Sequence, residues 1–109
     1  MNPAEELRKL QKLGKLTTAE LAFLTGGNAR VVMSWLQEDA TPNSDQRQRI
    51  QKILHYVERI NRAINPSPID LWLRQPRPDL SQETPLHALA MGRWKVLQEI
   101  ATELETPIK

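Results

Sequence analysis

Thr17–Gln37 reads TTAELAFLTGGNARVVMSWLQ, two short helices around a tight turn. Thr17 stands at a helix N-cap with Glu20 three residues on. At that spacing the hydroxyl and the carboxylate each satisfy a backbone N–H of the other. Leu16 and Leu21 fall at the hydrophobic-staple positions around the cap. Gly26-Gly27 breaks the first helix and Asn28 caps the second. In the second helix Val31, Val32, Trp35 and Leu36 share one face, while Arg30, Met33, Ser34 and Gln37 follow the i, i+3, i+4, i+7 rule on the other. The apolar face docks the helix and a polar stripe stays free.

This arrangement resembles the helix-turn-helix of DNA-binding regulators. Ala22 lies four residues before Gly26, Val32 six after it, and Trp35 three further on. Ala22 allows close helix packing, Gly26 supplies the turn, and Val32 and Trp35 fill the space between the helices. Gly27 departs from the pattern, standing where the motif usually places an apolar residue. The resemblance makes Asn28, Arg30, Met33, Ser34 and Gln37 the candidate DNA-binding residues. The plain alternative is a helical hairpin with no DNA role.

Length and composition fit a small helical protein. A chain of 109 residues buries one modest core, or two small ones that lean on each other. Lys and Arg number 15 against 13 acids, a balance that neither requires nor excludes nucleic acid. There is no cysteine, hence no disulfide or thiolate chemistry, in keeping with a cytoplasmic location. The N-terminus carries charge and no apolar signal core. No apolar run approaches membrane-spanning length, so no membrane partner is expected.

Helical periodicity runs through the remainder. Asn2-Pro3 opens a first helix with a capping side chain and a proline whose missing N–H costs nothing there; Leu7, Leu10 and Leu13 form its stripe and Gly14 is expected to end it. A loop with Pro42 follows the third helix. Asn43 or Ser44 then caps a long fourth helix with Ile50, Ile53, Leu54, Val57, Ile60 and Ile64 in helical period. Asn65-Pro66-Ser67-Pro68 stops it and marks a boundary between residues 1–64 and 65–109. Ser67-Pro68 is expected to open a helix with Ile69, Leu71, Trp72 and Leu73; residues 75–79, with two prolines, are expected to be a rigid extended connector. Thr84-Pro85 opens a short helix closed by Gly92. A last helix from Arg93 to about Glu103 carries Trp94, Val96, Leu97, Ile100 and Leu104.

The second region resembles a known family. Residues 72–80, TrpLeuArgGlnProArgProAspLeu, then ThrProLeuHisAlaLeuAlaMetGly (84–92) and Val96-Leu97, resemble the toxin-binding domain of the Xre/MbcA/ParS antitoxins. That family shows a Trp-Leu helix, a proline-containing connector ending in Leu, then Thr-Pro-Leu, a short helix, Gly and a final helix. It usually places this domain behind a helix-turn-helix, as here. Two departures stand out: Ser81-Gln82 replace a Gly pair common after the connector leucine, and His87 replaces an acid common after Pro-Leu.

The resemblance implies a type II antitoxin that silences a RES-domain toxin, which consumes NAD, by covering its cleft, and that represses its own operon. It puts the toxin-binding residues on the last helix and tail: Trp94, Glu99, Glu103, Thr106, Ile108 and Lys109. It implies two partners, the cognate RES-domain toxin and operator DNA. A homodimer is expected because one recognition helix reads only a half-site.

The other conspicuous residues read blandly. His55 and His87 have no second ligand near them in sequence, so no metal is expected. Trp35, Trp72 and Trp94 sit at periodic apolar positions and read as core. Arg47, Arg49, Lys52, Arg59 and Arg62 make a basic stretch, either a solvated face or a phosphate-contacting flank. No nucleophile–base pair, phosphate loop or metal-spaced cluster appears, so no enzyme, catalytic residue or cofactor is expected. The reading is an all-α protein, a helix-turn-helix DNA-binding half followed by a small helical toxin-binding module. A free-standing repressor with a helical dimerisation module is the alternative. An adaptor with a degenerate helix-turn-helix, binding protein alone, is a third.

Overall fold

A computed structural model describes residues 2–106. The expected all-α class holds: helices α1 (Pro3–Gly14), α2 (Thr18–Thr25), α3 (Ala29–Leu36), α4 (Ser44–Ile64), α5 (Ile69–Leu73), α6 (Pro85–Ala90) and α7 (Trp94–Glu105) follow one another, with no strand among the described residues.

Most helix starts form as their sequences dictate. Asn2 accepts the Glu5 N–H at 2.8 Å ahead of Pro3. The Thr17–Glu20 box closes in both directions at 3.0 Å. Asn28 accepts the Val31 N–H at 2.9 Å. Asn43, rather than Ser44, caps α4, exchanging 2.8 Å bonds with Gln46. Thr84 caps α6 through the His87 N–H at 3.1 Å, with Pro85 in the first turn.

One buried cluster holds the helices. α4 supplies Ile50, Ile53, Leu54, Val57 and Ile60 and packs against both α1 and α7; α2 packs against α3 and α6. Leu7 and Leu10, Leu21 and Leu24, Val32 and Trp35, Leu73, Leu80, Leu89, Leu97 and Ile100 join the same cluster. Apolar burial of this kind supplies most of the drive to fold.

Gly14 ends α1 as expected, and Lys15 after it turns left-handed, at φ 50°. A Cβ on Gly14 would be crowded, at 3.0 Å from Leu16 Cγ and 3.2 Å from Leu73 Cδ1. Two expectations are corrected. α5 begins at Ile69, after Pro68 and without a side-chain cap. The connector is not extended throughout: Pro78–Leu80 forms a 3-10 turn, and the Arg77 N–H bonds the Glu83 carbonyl at 3.0 Å. Backbone pairing across the loop overrides the extended preference of its prolines. Ser81 and Gln82 there are both left-handed, at φ 55° and 67°. That is the conformation for which a glycine pair is suited.

Candidate functional site

The helix pair α2–α3 turns at Gly26, left-handed at φ 77°, whose N–H returns to the Ala22 carbonyl at 3.0 Å. Gly27 lies against Trp35, where a Cβ would make an ordinary contact at 3.6 Å from the indole Cη2. Val32 and Trp35 are buried and Val31 and Leu36 partly so, as the apolar face requires.

On the opposite face Arg30, Met33 and Gln37 are exposed and Ser34 is half-buried. They differ in freedom. Arg30 makes no hydrogen bond or ion pair with the described residues. The Ser34 hydroxyl donates to the Val31 carbonyl at 2.7 Å, and Asn28 is committed to its cap. The Met33 sulfur accepts from the Thr18 hydroxyl at 3.8 Å. Gln37 sits at the C-cap, just before Glu38 turns left-handed at φ 63°. Arg30 and Gln37 are therefore the readiest of the five to form new contacts.

The basic stretch of α4 is largely engaged within the protein. Arg49 donates to the Leu24 carbonyl at 2.8 Å and also to the Ala90 carbonyl, tying the ends of α2 and α6 together. Arg59 grips Glu105 bidentately at 2.8 Å and reaches Thr102 at 3.1 Å. The bond from Arg59 is the chief cause holding the Glu105 carboxyl below its ordinary range. Arg47 lies 3.8 Å from the buried Glu6.

The second surface centres on Trp94. Its ring stacks on Tyr56 at 5.9 Å with 7° between planes, and the Lys52 ammonium lies 5.2 Å from its centroid. Shallow grooves flank it, lined by Lys95, Val96, Glu99, Tyr56 and Gln98. Trp94 and Trp72 are only half-buried, unlike Trp35, so the core reading is corrected for both. Each is amphipathic rim with a cation against it, Arg77 lying 5.3 Å from the Trp72 ring. Glu99 and Glu103 on α7 are exposed, as is Thr106, whose hydroxyl donates to the Thr102 carbonyl at 2.8 Å. Ile108 and Lys109 lie outside the described residues. Leu71 is 56% exposed although the apolar pattern of α5 included it.

Sequence reasoning missed Arg74. From the end of α5 it donates to Glu20 at 2.8 and 3.1 Å, to the Gly14, Lys15 and Asp70 carbonyls at 2.9, 3.1 and 2.7 Å. Burial pushes the Glu20 carboxyl up, but the bonds from Arg74 and from the Thr17 N–H outweigh it and hold it below its ordinary value. Asp79 is likewise held low, first by its 2.9 Å bonds from Arg77. No local periodicity signals such a long-range tie. Among the described residues no three His, Asp or Glu side chains gather as a metal site, and no helix is long and apolar enough to cross a membrane.

No protein-family model matches the sequence, and no curated protein matches it either. The fold does have a counterpart among solved structures. A chain of the crystal structure of the M. tuberculosis MbcT-MbcA toxin-antitoxin complex superposes with TM-score 0.76 over 94% of this chain and 92% of that one, at 15% identity. The two share a fold along nearly their whole lengths.

Proposed function

We propose that this chain is the antitoxin of a type II toxin–antitoxin pair, a non-enzymatic cytoplasmic regulator. The observation that carries this reading is the near full-length likeness to a chain of a toxin–antitoxin complex. The ordered motifs of residues 72–97, which resemble the antitoxin family independently of that likeness, support it.

In this reading residues 1–64 form the DNA-binding domain and residues 65–109 the toxin-binding domain. The toxin is of the RES type and consumes NAD. Trp94, Glu99 and Glu103 on α7, with Thr106, Ile108 and Lys109 in the tail, cover its active site. α3 lies in the major groove of the operator, and a homodimer presents two copies of it. Arg30 suits bidentate contact with guanine, worth roughly 1–3 kcal/mol of discrimination. The test is a fluorescence-anisotropy titration of the upstream DNA with wild type and with Arg30→Ala/Gln37→Ala. The double variant should keep its melting temperature and bind at least tenfold more weakly, about the loss of one good base contact. Unchanged affinity removes α3 from the recognition role.

A second reading, an adaptor that binds protein alone, has one observation in its favour. Arg30 is the one formal charge of the α3 stripe, and Arg49 and Arg59 of the neighbouring basic stretch are engaged internally. Wild type that fails to bind the upstream DNA, yet still binds the toxin, selects this adaptor.

A further inference from the structure

Arg74 uses its whole donor set. A guanidinium has five N–H donors in a fixed fork. Here Nε and Nη2 bond the two Glu20 carboxylate oxygens at 3.1 and 2.8 Å, Nη1 bonds the Gly14 and Asp70 carbonyls, and Nη2 also bonds the Lys15 carbonyl. Gly14 ends α1 and Lys15 is its C-cap, so their carbonyls have no partner within the helix. Glu20 closes the capping box of α2, its Oε1 accepting the Thr17 N–H as well. One side chain from α5 therefore holds the end of one helix and the start of the next.

That junction controls the pose of α3. α1 and α2 are joined by Lys15, Leu16 and Thr17 alone, with Lys15 left-handed. α3 packs on α2 and on α1, and Arg8 of α1 donates to the Leu36 carbonyl at the end of α3 at 2.5 Å. Any change in the angle between α1 and α2 must move α3. α5 also abuts the junction sterically, since Leu73 leaves no free space for a Cβ at Gly14.

We propose that Arg74 is a positioning residue for DNA recognition: from the C-terminal region it sets the angle of the α2–α3 pair. DNA affinity then depends on a side chain far from the reading face in sequence. This rests on the DNA-binding reading above.

Arg74→Lys keeps the charge and loses the fork; Glu20→Gln keeps an acceptor for Thr17 and loses the ion pair. Arg59→Lys, which weakens a comparable tie between α4 and α7, serves as control. Upstream-DNA affinity is measured by anisotropy at a temperature where circular dichroism shows every variant folded. Arg74→Lys and Glu20→Gln should each bind about tenfold more weakly, with little further loss when combined, as expected for coupled partners. Arg59→Lys should stay within about twofold of wild type. Amide exchange at α2 and α3 should quicken in the first two variants and not in the control. Wild-type affinity in Arg74→Lys, or an equal loss in Arg59→Lys, overturns the proposal. Wild type that binds no DNA overturns the DNA-binding reading itself, a result separate from either of these.

Discussion

The helices of the first region start by local rules, whereas those of the second are placed mainly from a distance. Asn2, Thr17, Asn28 and Asn43 each cap their own helix through an N–H three residues on. In the second region Thr84 alone does so; α5 and α7 have no side-chain cap. Their positions are held by Arg74 on Glu20, by Arg59 on Glu105, and by Arg49 between the ends of α2 and α6. A five-residue helix such as α5 is too short to stand alone, because nucleation costs more than so few bonds return. The contrast teaches that the second region takes its shape from the first.

Two tryptophans give the largest test of this contrast. Trp35 is 3% exposed between α2 and α3, so Trp35→Ala should cost about 3–5 kcal/mol. A small domain has little more than that to lose, and the variant should melt near or below room temperature. Trp94 is half-buried and stacked on one ring. Trp94→Ala should cost about 1–2 kcal/mol, the scale of one partly buried aromatic contact. Thermal melts followed by circular dichroism compare them. Equal costs break the distinction between a core tryptophan and a rim one.

Acid gives the next largest effect. Glu20, Asp79 and Glu105 are held below their ordinary values, so the unfolded chain takes up protons before the folded one as pH falls. Their contribution is full above the ordinary values of 4.5, 3.8 and 4.5 and is lost as pH falls through the folded values. Melting temperature should be flat from about pH 7 to 5 and drop steeply below about 4.5. Glu20→Gln should flatten part of that drop. An unaltered acid limb in this variant removes the Arg74 pair from the stability account.

The smallest effect lies in the loop of the second region. Gln82 is left-handed at φ 67°. Glycine there relieves about 1–2 kcal/mol of strain, partly offset by its freer unfolded chain. Gln82→Gly should therefore raise stability by about 0.5–1 kcal/mol, read as a higher urea midpoint at unchanged slope. A lower midpoint means the side chain contributes more to the loop than its backbone costs.

The same contrast explains what the sequence made legible. The caps at Thr17, Asn28 and Asn43, the turn at Gly26 and the end of α4 at Ile64 follow from residues within a few positions of each other, and each appears where its chemistry puts it. The polar stripe of α3 was legible for the same reason, but its hydrogen bonds were not. Ser34 bonds its own helix, so it is less available than its spacing suggests. Arg74 was invisible because its partners lie as far as 60 residues away. Gly14 was legible as the end of α1, but the crowding around it was not, because its neighbour Leu73 comes from another helix. The basic stretch of α4 likewise looked free because Glu105 and the carbonyls of Leu24 and Ala90 reach it only in the folded chain.

The central claim is that the second region neutralises a toxin, and co-expression tests it most directly. In cells expressing the toxin that the proposal requires, of the RES type, growth and NAD content are followed with full-length protein, with a variant lacking residues 106–109, which keeps Glu105 on Arg59, and with none. Full-length protein should restore growth and hold NAD at its normal level. The truncated form should rescue less while keeping its melting temperature and DNA affinity. Equal rescue by both forms moves the inhibitory contact to Trp94–Glu103. Loss of NAD at an undiminished rate with full-length protein present contradicts the account.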